Sequence, residues 1–471
     1  MTAKQKNLMD VISALAKRRG FVRPTSEIYG GIGSSYDYGP LGIEMKRKLA
    51  DLWWKQMVRK HENIVGIDSA IIYNPRTWVA SGHVEGFVDP LVDCRQCKAR
   101  FKADDLVEHA KRAKGVDDPP LTPDGSTLDP DHPSYGQLSC PTCGTRGSLT
   151  KPRSFNLMFK THVGPVAEDA AAVYLRPETA QGIYQDYPQV VNTSRLKLPF
   201  GIAQIGKAFR NEITPGNFIF RTREFEQMEM QYFIRPGEDE KWLEFWKEER
   251  MAFWRDVVSI REENLRFHKH GSDELAHYAK EAWDIEYNFP FGWAEFEGIH
   301  NRTNYDLTRH IEYSGKEKDL QYFDDQTRER FIPYIVETSA GLNRGLLAIL
   351  LDAYAEDDLG GETRVVLRLD PKIAPITAAV FPLTKKDGLP EIAREITEDL
   401  KRNFNVFYDE AGNIGRRYRR QDEAGTPFCF TVDYQTKEDG TVTIRDRDTL
   451  EQPDRPKIEE LPRILFDRLS L

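Results

Sequence analysis

Apolar residues recur at helical spacing in three long segments of the chain. The segments are 1–20, 41–60 and 238–265, and in each the apolar positions fall every three or four residues, as on one face of an amphipathic helix. The second segment follows Gly39-Pro40, which is typical of a helix start. The third carries a stripe of tryptophan and phenylalanine, which favours packing in a core over contact with a ligand. We therefore predict a helix in each segment.

A different pattern begins at residue 364, where short apolar runs alternate with helical stretches. This alternation favours a separate α/β domain over the last hundred or so residues. The predicted strands are 365–369, 378–381, 404–408, 427–432 and 442–445, and the predicted helices are 390–403, 412–421 and a last one from 458.

The five cysteines are not scattered at random. Cys94 and Cys97 form one C-x2-C pair, Cys140 and Cys143 form another, and 42 residues separate the two pairs. Four thiolates at this spacing would complete a tetrahedral structural zinc site, and free thiols or redox pairs are the alternative. Cys429 lies between two phenylalanines, so we predict that it is a buried apolar residue.

Length and composition bound the class of protein. With 471 residues, 30% charged and 39% hydrophobic, the sequence is typical of a soluble protein of two or three domains. We divide it into a domain of residues 1–83 and 151–360, a cysteine-bearing insertion at 84–150, and a C-terminal domain at 364–471. No apolar run reaches the roughly 20 residues of a membrane helix, and segment 1–20 lacks the apolar stretch of a signal peptide. We expect a cytoplasmic protein without membrane contact.

Net charge limits the possible partners. The formal charge of −9 excludes a general coat for nucleic acid, so any RNA contact requires a local basic patch. Residues 209–231 and 337–350 are largely apolar, yet they hold four arginines and five glutamates. Any one pair is most simply a salt bridge within a sheet. The whole group indicates a site for a charged, zwitterionic or polyanionic substrate, because buried charges are costly unless they are paired or engaged by ligand.

Motifs in these segments and around them resemble those of class II aminoacyl-tRNA synthetases, and in particular the dimeric glycyl-tRNA synthetase family. Three resemble the motifs of the whole class: Y-D-Y-G-P-L-G at 36–42, F-R-N-E at 209–212 with the run to residue 229, and G-L-N-R at 341–344. Three more resemble the glycine enzymes: R-P-E-T-A-Q-G at 176–182, W-A-E-F at 293–296 and E-T-S-A-G at 337–341. The resemblance implies an α+β fold. It has an antiparallel catalytic sheet of six or seven strands flanked by helices, an anticodon-binding C-terminal domain, and a homodimer formed through the first motif.

The same resemblance implies ATP, Mg²⁺, glycine and tRNA(Gly) as cofactors and partners. Arg210 would contact the α-phosphate and the glycine carboxylate, and Arg344 the γ-phosphate, as the two catalytic residues. Phe225 would stack on adenine, Glu212 would read its amino group, and Glu295 would lie near Mg²⁺. The implied ATP-binding set is Arg210, Asn211, Glu212, Phe220, Arg221, Thr222, Arg223, Glu224, Phe225, Glu295, Phe296, Gly341, Leu342, Asn343 and Arg344.

Glycine offers a pocket only its ammonium, its carboxylate and its lack of a side chain. We place Glu178, Glu229 and Glu337 around the ammonium, with Gln227 and Ser339 as neutral hydrogen-bonding groups and steric walls against alanine. If these carboxylates repel one another in the empty pocket, Glu337→Gln stabilises the free protein. The implied glycine-binding set is Arg100, Glu178, Phe225, Glu226, Gln227, Met228, Glu229, Glu337, Thr338, Ser339, Ala340 and Gly341.

The run Gly415-Arg-Arg-Tyr-Arg-Arg420 is the candidate for RNA contact. Its arginines can pair with phosphates and its tyrosine can stack on an unpaired base, whereas the alternative is a solvated helix face. Its place in a domain that resembles an anticodon binder favours RNA. The implied RNA-binding residues are Arg416, Arg417, Tyr418, Arg419 and Arg420.

Two other functions stay open at this point. One is a class II synthetase for another small amino acid such as threonine, serine or proline, against which segments 176–182 and 337–341 argue. The other is a non-catalytic, synthetase-like subunit that binds nucleic acid. Such a subunit is expected to have lost its phosphate-binding arginines, whereas Arg210, Arg221 and Arg344 are all present.

Overall fold

The computed structural model describes residues 3–113, 116–165, 172–271, 275–276 and 278–469. The α-helices, in chain order, are α1 (Ala3–Arg19), α2 (Pro40–Trp54), α3 (Arg76–Ala80), α4 (His83–Gly86), α5 (Val107–Lys111), α6 (Ala180–Ser194), α7 (Asp239–Ala252), α8 (Tyr305–Ser314), α9 (Glu317–Leu320), α10 (Leu342–Ala353), α11 (Leu389–Leu400), α12 (Ile414–Ala424), α13 (Tyr434–Asp439) and α14 (Leu461–Arg468).

The strands form several sheets. In chain order they are β1 (Val22–Pro24), β2 (Tyr36–Tyr38), β3 (Ile64–Gly66), β4 (Val88–Asp93), β5 (Arg100–Lys102), β6 (Arg153–Asn156), β7 (Lys160–His162), β8 (Ala172–Tyr174), β9 (Phe200–Phe209), β10 (Glu224–Ile234), β11 (Leu265–Lys269), β12 (Glu281–Phe289), β13 (Gly292–Thr303), β14 (Tyr322–Phe323), β15 (Arg330–Phe331), β16 (Tyr334–Gly341), β17 (Tyr354–Asp358), β18 (Thr363–Leu367), β19 (Ala378–Pro382), β20 (Val406–Tyr408), β21 (Phe428–Val432) and β22 (Thr443–Asp446).

The largest sheet has seven strands in the order β11-β12-β13-β16-β10-β9-β3. Every neighbouring pair is antiparallel except β3 with β9, which is parallel. This sheet agrees with the six or seven antiparallel strands that the family resemblance implies. Strands β10 and β16 are neighbours in this sheet, and each overlaps one of the two charge-rich segments, 209–231 and 337–350.

The two faces of this sheet carry different chemistry, because side chains alternate along a strand. On β10, Met228 and Met230 pack into the main hydrophobic core, together with Val336 and Ala340 of β16. Gln227, Glu229 and Gln231, on the other face, are directed to the side that α6 covers. One face of the sheet therefore packs against α2 and α10. The other face presents polar side chains on the side of α6.

The predicted helix at 238–265 is only partly right. Helix α7 begins at Asp239, continues into a π-helical turn at Phe253–Val257 and has ended before Ser259, whose φ of 66° is left-handed. Leu265 already begins strand β11. The predictions for 1–20 and 41–60 are confirmed, because α1 spans Ala3–Arg19 and α2 with its π-helical extension spans Pro40–Arg59.

The C-terminal unit contains a four-stranded sheet in the order β20-β19-β21-β22. The predicted strands and helices from 378 onward are all present to within about two residues at the strand ends and three at the helix ends. The predicted strand at 365–369 exists as β18, but it pairs with β17 in a separate hairpin whose turn holds Gly360 and Gly361, both with positive φ. Cys429 is buried beside Ala379 and Phe381, as its apolar neighbours predict.

Candidate active site

A small cavity of about 100 Å³ opens on the ligand-facing side of the seven-stranded sheet. It lies where β10, β16 and the start of α10 meet the segment before β10. Ten of the fifteen residues implied for ATP line it, together with Ile219 and with three further residues that are implied for glycine alone. The lining residues are Arg210, Glu212, Ile219, Phe220, Arg221, Thr222, Phe225, Glu226, Gln227, Glu295, Ser339, Gly341, Asn343 and Arg344.

Arg210 is held with its guanidinium between two aromatic rings. The ring centroids of Phe87 and Phe225 both lie 5.3 Å from its Cζ atom, and its Nε donates to the carbonyl oxygen of Pro177 at 3.1 Å. Its two terminal nitrogens donate no hydrogen bond to any of the residues that the structure describes. The fork of a guanidinium fits a phosphate or a carboxylate, so Arg210 presents an oriented anion-binding group.

Arg344 is on the first turn of α10 and reaches back over the cavity. Its Nε donates to the carbonyl oxygen of Phe220 at 3.1 Å, and its Nη1 contacts the Glu295 carboxylate at 3.1 Å. The sequence alone identifies no protein partner for this arginine, and the structure shows that Glu295 is its partner. Since the Arg344 side chain is 25% exposed and that of Glu295 48%, the pair stays accessible to a ligand.

Five residues of the implied ATP set do not line the cavity. The side chains of Phe296 and Leu342 are buried in the hydrophobic core, where Phe296 packs on Trp254 with ring centroids 4.6 Å apart. Their side chains therefore do not reach the cavity. Glu224 is exposed and pairs with Lys207. Asn211 and Arg223 hold loops. The backbone N–H of Asn211 donates to the carbonyl of Leu157, and the Arg223 side chain donates to the carbonyls of Gly33 and Glu212.

Behind the cavity, the glutamates of the implied ammonium site come together. Glu229 faces Ser339 across the β10–β16 pairing, and Gln231 faces Glu337. The amide of Gln231 donates to Glu229 at 2.7 Å and to Glu337 at 2.6 Å, which ties the two carboxylates together. Glu178 accepts from the amide of Gln181 at 3.0 Å. Gln227 donates to Ser339 at 3.1 Å, and both residues also line the cavity, so the cluster continues from it.

A buried arginine belongs to this cluster and is absent from the sequence prediction. Arg302, at the end of β13, donates from Nη1 to Glu337 at 2.9 Å and from Nε and Nη2 to the two oxygens of Asp306 at 2.8 and 3.0 Å. His300 contacts the other oxygen of Glu337 at 2.8 Å. Arg302 is only 2% exposed. The one signal in the sequence is a charged residue at the end of an apolar strand, which does not reveal its partners.

The cluster shifts the pKa values of its members in opposite directions. Burial raises the pKa of Glu229 well above its usual range, and the charges of Glu337 and Glu178 raise it further. Burial would raise the pKa of Glu337 as well, but Arg302 and His300 outweigh it and lower that pKa to about 2. The pKa of Glu178 is also lowered, because His83, Arg302 and Gln181 outweigh its burial. Within the cluster, the shifts favour the neutral form at Glu229 and the ionised form at Glu178 and Glu337.

Arg176, in the motif before α6, is structural. It is 2% exposed, and it donates from Nε to the carbonyl of Lys207 at 2.6 Å and from Nη1 to that of Ser69 at 2.9 Å. A Cβ atom on Gly206 would lie 2.2 Å from its Nη2, so a glycine is required opposite this arginine. These contacts hold the segment that carries Glu178 against strand β9.

Several residues of the implied glycine set do not direct a side chain to the cluster. Met228, Thr338 and Ala340 are buried on the core face of the sheet, so they offer the pocket only their backbone. Glu226 pairs with Lys46 at 2.5 Å at the edge of the cavity. Arg100 lies on β5, is 67% exposed and contacts Asp93 at 3.4 Å. The structure therefore does not bring Arg100 to the pocket.

The four paired cysteines converge on one point. The sulfur atoms of Cys94 and Cys143 lie 3.7 Å apart, as do those of Cys97 and Cys140, and all four lie within 4.8 Å of one another. A tetrahedral zinc ion with Zn–S bonds of about 2.3 Å sets its sulfur atoms about 3.8 Å apart. The observed spacing matches this geometry, so the four residues fit a metal.

The two cysteine pairs share one backbone design. The amide of Cys94 donates to Ala99 and its carbonyl accepts from Lys98, while the amide of Cys140 donates to Thr145 and its carbonyl accepts from Gly144. Lys98 and Gly144 both have positive φ, of 62° and 71°. Each pair is thus a self-contained turn with its sulfurs on one side.

The basic run at 416–420 forms the middle of α12, and its members differ in exposure. Arg417 is buried and donates to Pro382 and Gly412, and Arg420 pairs with Asp409. The Tyr418 hydroxyl bonds to Thr431 at 2.6 Å. Arg416 is exposed and its side chain is unpaired among the described residues. Of the five residues implied for RNA, three are therefore engaged within the domain.

Comparison with known proteins identifies the family. The model of the class II tRNA synthetase core domain (G, H, P, S and T) matches residues 159–354, and that of the anticodon binding domain matches 377–467. Glycine–tRNA ligase of Treponema denticola is 56% identical over 462 residues, which cover 97% of this chain and 96% of that protein. Glycine–tRNA ligase of Caldanaerobacter subterraneus is 53% identical over 467 residues, 99% of each chain. That of Streptomyces coelicolor is 50% identical over 469 residues, 98% of each. The chain belongs to the glycine–tRNA ligase family.

Membership in the glycine–tRNA ligase family confirms two predictions from the sequence, the fold class and the class of enzyme. The fold is a class II synthetase core with a C-terminal anticodon-binding domain, and the protein is an aminoacyl-tRNA synthetase. Among the described residues, no helix has both the length and the apolar character needed to span a bilayer.

Proposed function

We propose that this protein activates glycine with ATP, forming glycyl-adenylate and pyrophosphate, and then transfers glycine to the 3′ end of tRNA(Gly). The observation that carries this proposal is the contact between two different sites. A cavity with two arginines suited to phosphate lies directly against a buried carboxylate cluster suited to an ammonium group. The family relationship supports both halves of the reaction.

The activation step needs positioning and charge neutralisation more than a protein nucleophile. A carboxylate oxygen of glycine attacks the α-phosphorus of ATP; the new O–P bond forms as the bond to the bridging oxygen breaks, and pyrophosphate leaves. Arg210 is poised for the α-phosphate because Phe87 and Phe225 orient its fork and leave its terminal nitrogens open. Arg344 would exchange its contact with Glu295 for the outer phosphates of ATP.

Magnesium fits the rim of the same cavity. Mg²⁺ in nucleotide sites uses one or two protein carboxylates together with phosphate oxygens. Glu295 and Glu212 both line the cavity and supply such carboxylates. When bound, the ion would neutralise charge on the leaving pyrophosphate.

Glycine recognition is assigned to the glutamate cluster. The ammonium group would lie among Glu178, Glu229 and Glu337, and Gln227 with Ser339 would complete its hydrogen bonds. In the empty pocket, Arg302 pairs with Glu337, and burial beside the other carboxylates shifts Glu229 towards its neutral form. An arriving ammonium would shift Glu229 back towards its ionised form.

We assign the cysteine cluster to a structural zinc ion. We place the protein in the cytoplasm, where free thiols such as these stay reduced. Four cysteines leave the ion no open position, so zinc would fold the 84–150 insertion and take no part in the chemistry. The insertion also touches the loop before β10, where Thr214 donates to Asp105 at 2.8 Å. Zinc would thus help to hold that loop.

We also propose a homodimer whose interface includes the first motif at 36–42 and extends onto the turn between β1 and β2 that precedes it. Ile28 is 87% exposed, Tyr29 86% and Ile32 59%, and several exposed apolar side chains in one turn are typical of an interaction surface. The turn continues to Gly33 and Ser34, whose carbonyls accept from Arg223 at the edge of the ATP cavity. A second copy seated on the turn would therefore also support this edge.

For tRNA, we propose contact through Arg416 and Arg419 of α12. Arg416 is exposed and unpaired among the described residues, and Arg419 is partly exposed on the same helix. Arg417, Tyr418 and Arg420 would shape the helix rather than touch RNA, because Arg417 is buried and donates to Pro382, the Tyr418 hydroxyl bonds to Thr431, and Arg420 pairs with Asp409.

One assay tests the proposal. Pyrophosphate exchange into ATP is measured with each of the twenty amino acids, and charging is measured with tRNA(Gly). We expect exchange with glycine alone and charging of that tRNA. Exchange with threonine, serine or proline would move the assignment to another amino acid, and no exchange with any of the twenty would support a non-catalytic subunit.

A further inference from the structure

A groove of about 1180 Å³ lies beside α6 and α8. It runs between α3, the C-terminal end of α6 and the segment that contains α9, β14 and β15. Six cationic residues from four separate segments line it, and all six are exposed: Arg76, Arg195, Lys197, Lys316, Lys318 and Arg330.

These six cations have no carboxylate partner within 4.0 Å in the part of the chain that the structure describes. Arg76 donates to the carbonyl of Tyr313, and Arg330 donates to that of Lys318 at 3.4 Å, which leaves their charge uncompensated. The only carboxylates that line the groove are Asp319 and Asp325, so the described lining carries a net charge of +4 from six positive and two negative groups. The whole chain, in contrast, has a formal charge of −9. A local positive excess on an acidic protein indicates an anionic ligand.

The floor of the groove is aromatic and holds an unused polar group. The Tyr187 hydroxyl is buried and has no hydrogen-bond partner among the described residues. Phe323 exposes 36% of its surface at the groove, and the guanidinium of Arg330 lies 5.0 Å from its ring centroid. Cations with an exposed ring are the groups that hold a phosphate chain and stack on a base.

The groove is continuous with the wall of the active site. Helix α3 presents Arg76 and Thr77 to the groove. The chain then passes to His83, whose Nε2 lies 3.4 Å from Glu178, and to Phe87, which packs on Arg210. A bound polymer that leaves the groove along this segment of the protein therefore reaches the rim of the active site.

We propose that this groove binds the sugar–phosphate backbone of the acceptor arm of tRNA, next to the 3′ end that enters the active site. The inference rests on the proposed function, in which tRNA is the second substrate. The groove exceeds the roughly 300–1,000 Å³ of pockets for small ligands, and its cations lie on four segments, so it fits an extended polyanion better than one nucleotide.

The test compares two double variants that remove the same charge. Lys197→Gln with Lys318→Gln changes the groove, and Arg59→Gln with Lys241→Gln changes exposed cations on α2 and α7 outside it. Binding is measured over a range of salt concentrations with full tRNA(Gly) and with an RNA hairpin that contains only its acceptor arm. For the groove variant we expect about tenfold weaker binding of both RNAs and a log K against log salt slope that is lower by about 1.4–1.8. We expect unchanged pyrophosphate exchange.

Several results would overturn the proposal. Equal losses in the two double variants would show a general charge effect, and an unchanged affinity in the groove variant would show that the groove is not used. A loss seen with full tRNA but not with the acceptor hairpin would place the contact on another part of the RNA. A failure of the proposed function would be detected by a different measurement, because the unmodified protein would then show no pyrophosphate exchange.

Discussion

Arg302 and Glu337 form a buried ion pair, with Nη1 and Oε2 separated by 2.9 Å. The pair sits directly behind the place where the ammonium of glycine is proposed to bind. It provides the empty pocket with a cation of its own. The expected repulsion among three bare carboxylates is therefore not present, and the sequence-based expectation that Glu337→Gln stabilises the free protein is reversed.

Glu337→Gln is now expected to weaken glycine binding and to destabilise the protein. The glycine KM should rise at least about tenfold with the ATP KM unchanged, because a charge partner of the ammonium is lost. Arg302 would keep only Asp306 as a counter-charge, so the free energy of unfolding should fall by about 1–3 kcal/mol. Steady-state kinetics and urea unfolding measure the two effects. Glu312→Gln, which changes an exposed carboxylate, is the control, and a rise in the ATP KM alone would place Glu337 in the nucleotide site.

Glu229 should make stability depend on pH in a direction unusual for a carboxyl group. Its pKa is raised in the folded protein, so the folded state favours the protonated form. That contribution is fully present below the ordinary pKa of about 4.3 and is lost as pH rises through the folded value. Glu229→Gln removes the loss, so the unfolding free energy of the variant relative to the unmodified protein should increase as pH rises above the ordinary pKa towards the raised folded value. A difference that does not vary with pH would contradict the pKa shift.

Arg344→Ala should reduce glycine activation by about 10²–10³, the usual effect of removing one charge-stabilising donor. Stability should change by less than about 1 kcal/mol, because the pair with Glu295 is solvent-accessible and such pairs contribute little. Pyrophosphate exchange and thermal unfolding provide the two measurements. Arg309→Ala, which breaks a comparable accessible pair with Glu312, serves as the matched variant and should keep full exchange. Near-normal activity of Arg344→Ala would remove it from the catalytic group.

Protein prepared without chelator should contain close to one zinc per chain. Cys140→Ser should lose the metal and expose the 84–150 insertion to proteolysis before the synthetase core unfolds. Cys429→Ala changes the remaining cysteine, which is buried in the C-terminal domain, and should keep its zinc. A metal-free protein that is folded and fully active would favour the free-thiol interpretation.

Ile28→Asp should shift the proposed homodimer towards monomer. The residue is 87% exposed in one copy, so an added carboxylate costs the single chain little but would be buried at the proposed interface. Light scattering after size-exclusion chromatography measures the mass as a function of concentration. Phe466→Asp, at an exposed apolar residue of α14, is the control. Equal masses for Ile28→Asp and the unmodified protein at all concentrations would move the interface elsewhere.

The period of two along the central strands explains which motif residues share one face of the sheet, and their role in binding stays a prediction. Gln227, Glu229 and Ser339 lie where the pattern places them. The same period puts Met228 and Ala340 on the core face. The implied glycine set includes both residues because it takes every residue of each motif and does not separate the two faces.

Partners from distant segments are what the sequence could not provide. Arg302 reaches Glu337 only because β13 and β16 are neighbours in the sheet, and Glu295 reaches Arg344 for the same reason. The early end of α7 has a similar origin, since no glycine or proline in the sequence marks the left-handed turn at Ser259. Tertiary packing decides each of these features.

The alternation along β10 also separates two kinds of change that the protein can undergo. A substitution at Gln227, Glu229 or Gln231 alters what the pocket holds and leaves the packing of the opposite face intact. A substitution at Met228 or Met230 alters the packing and leaves the pocket groups in place. An engineer who wants this scaffold to accept a larger amino acid can therefore vary every second position of one strand and keep the alternate positions fixed.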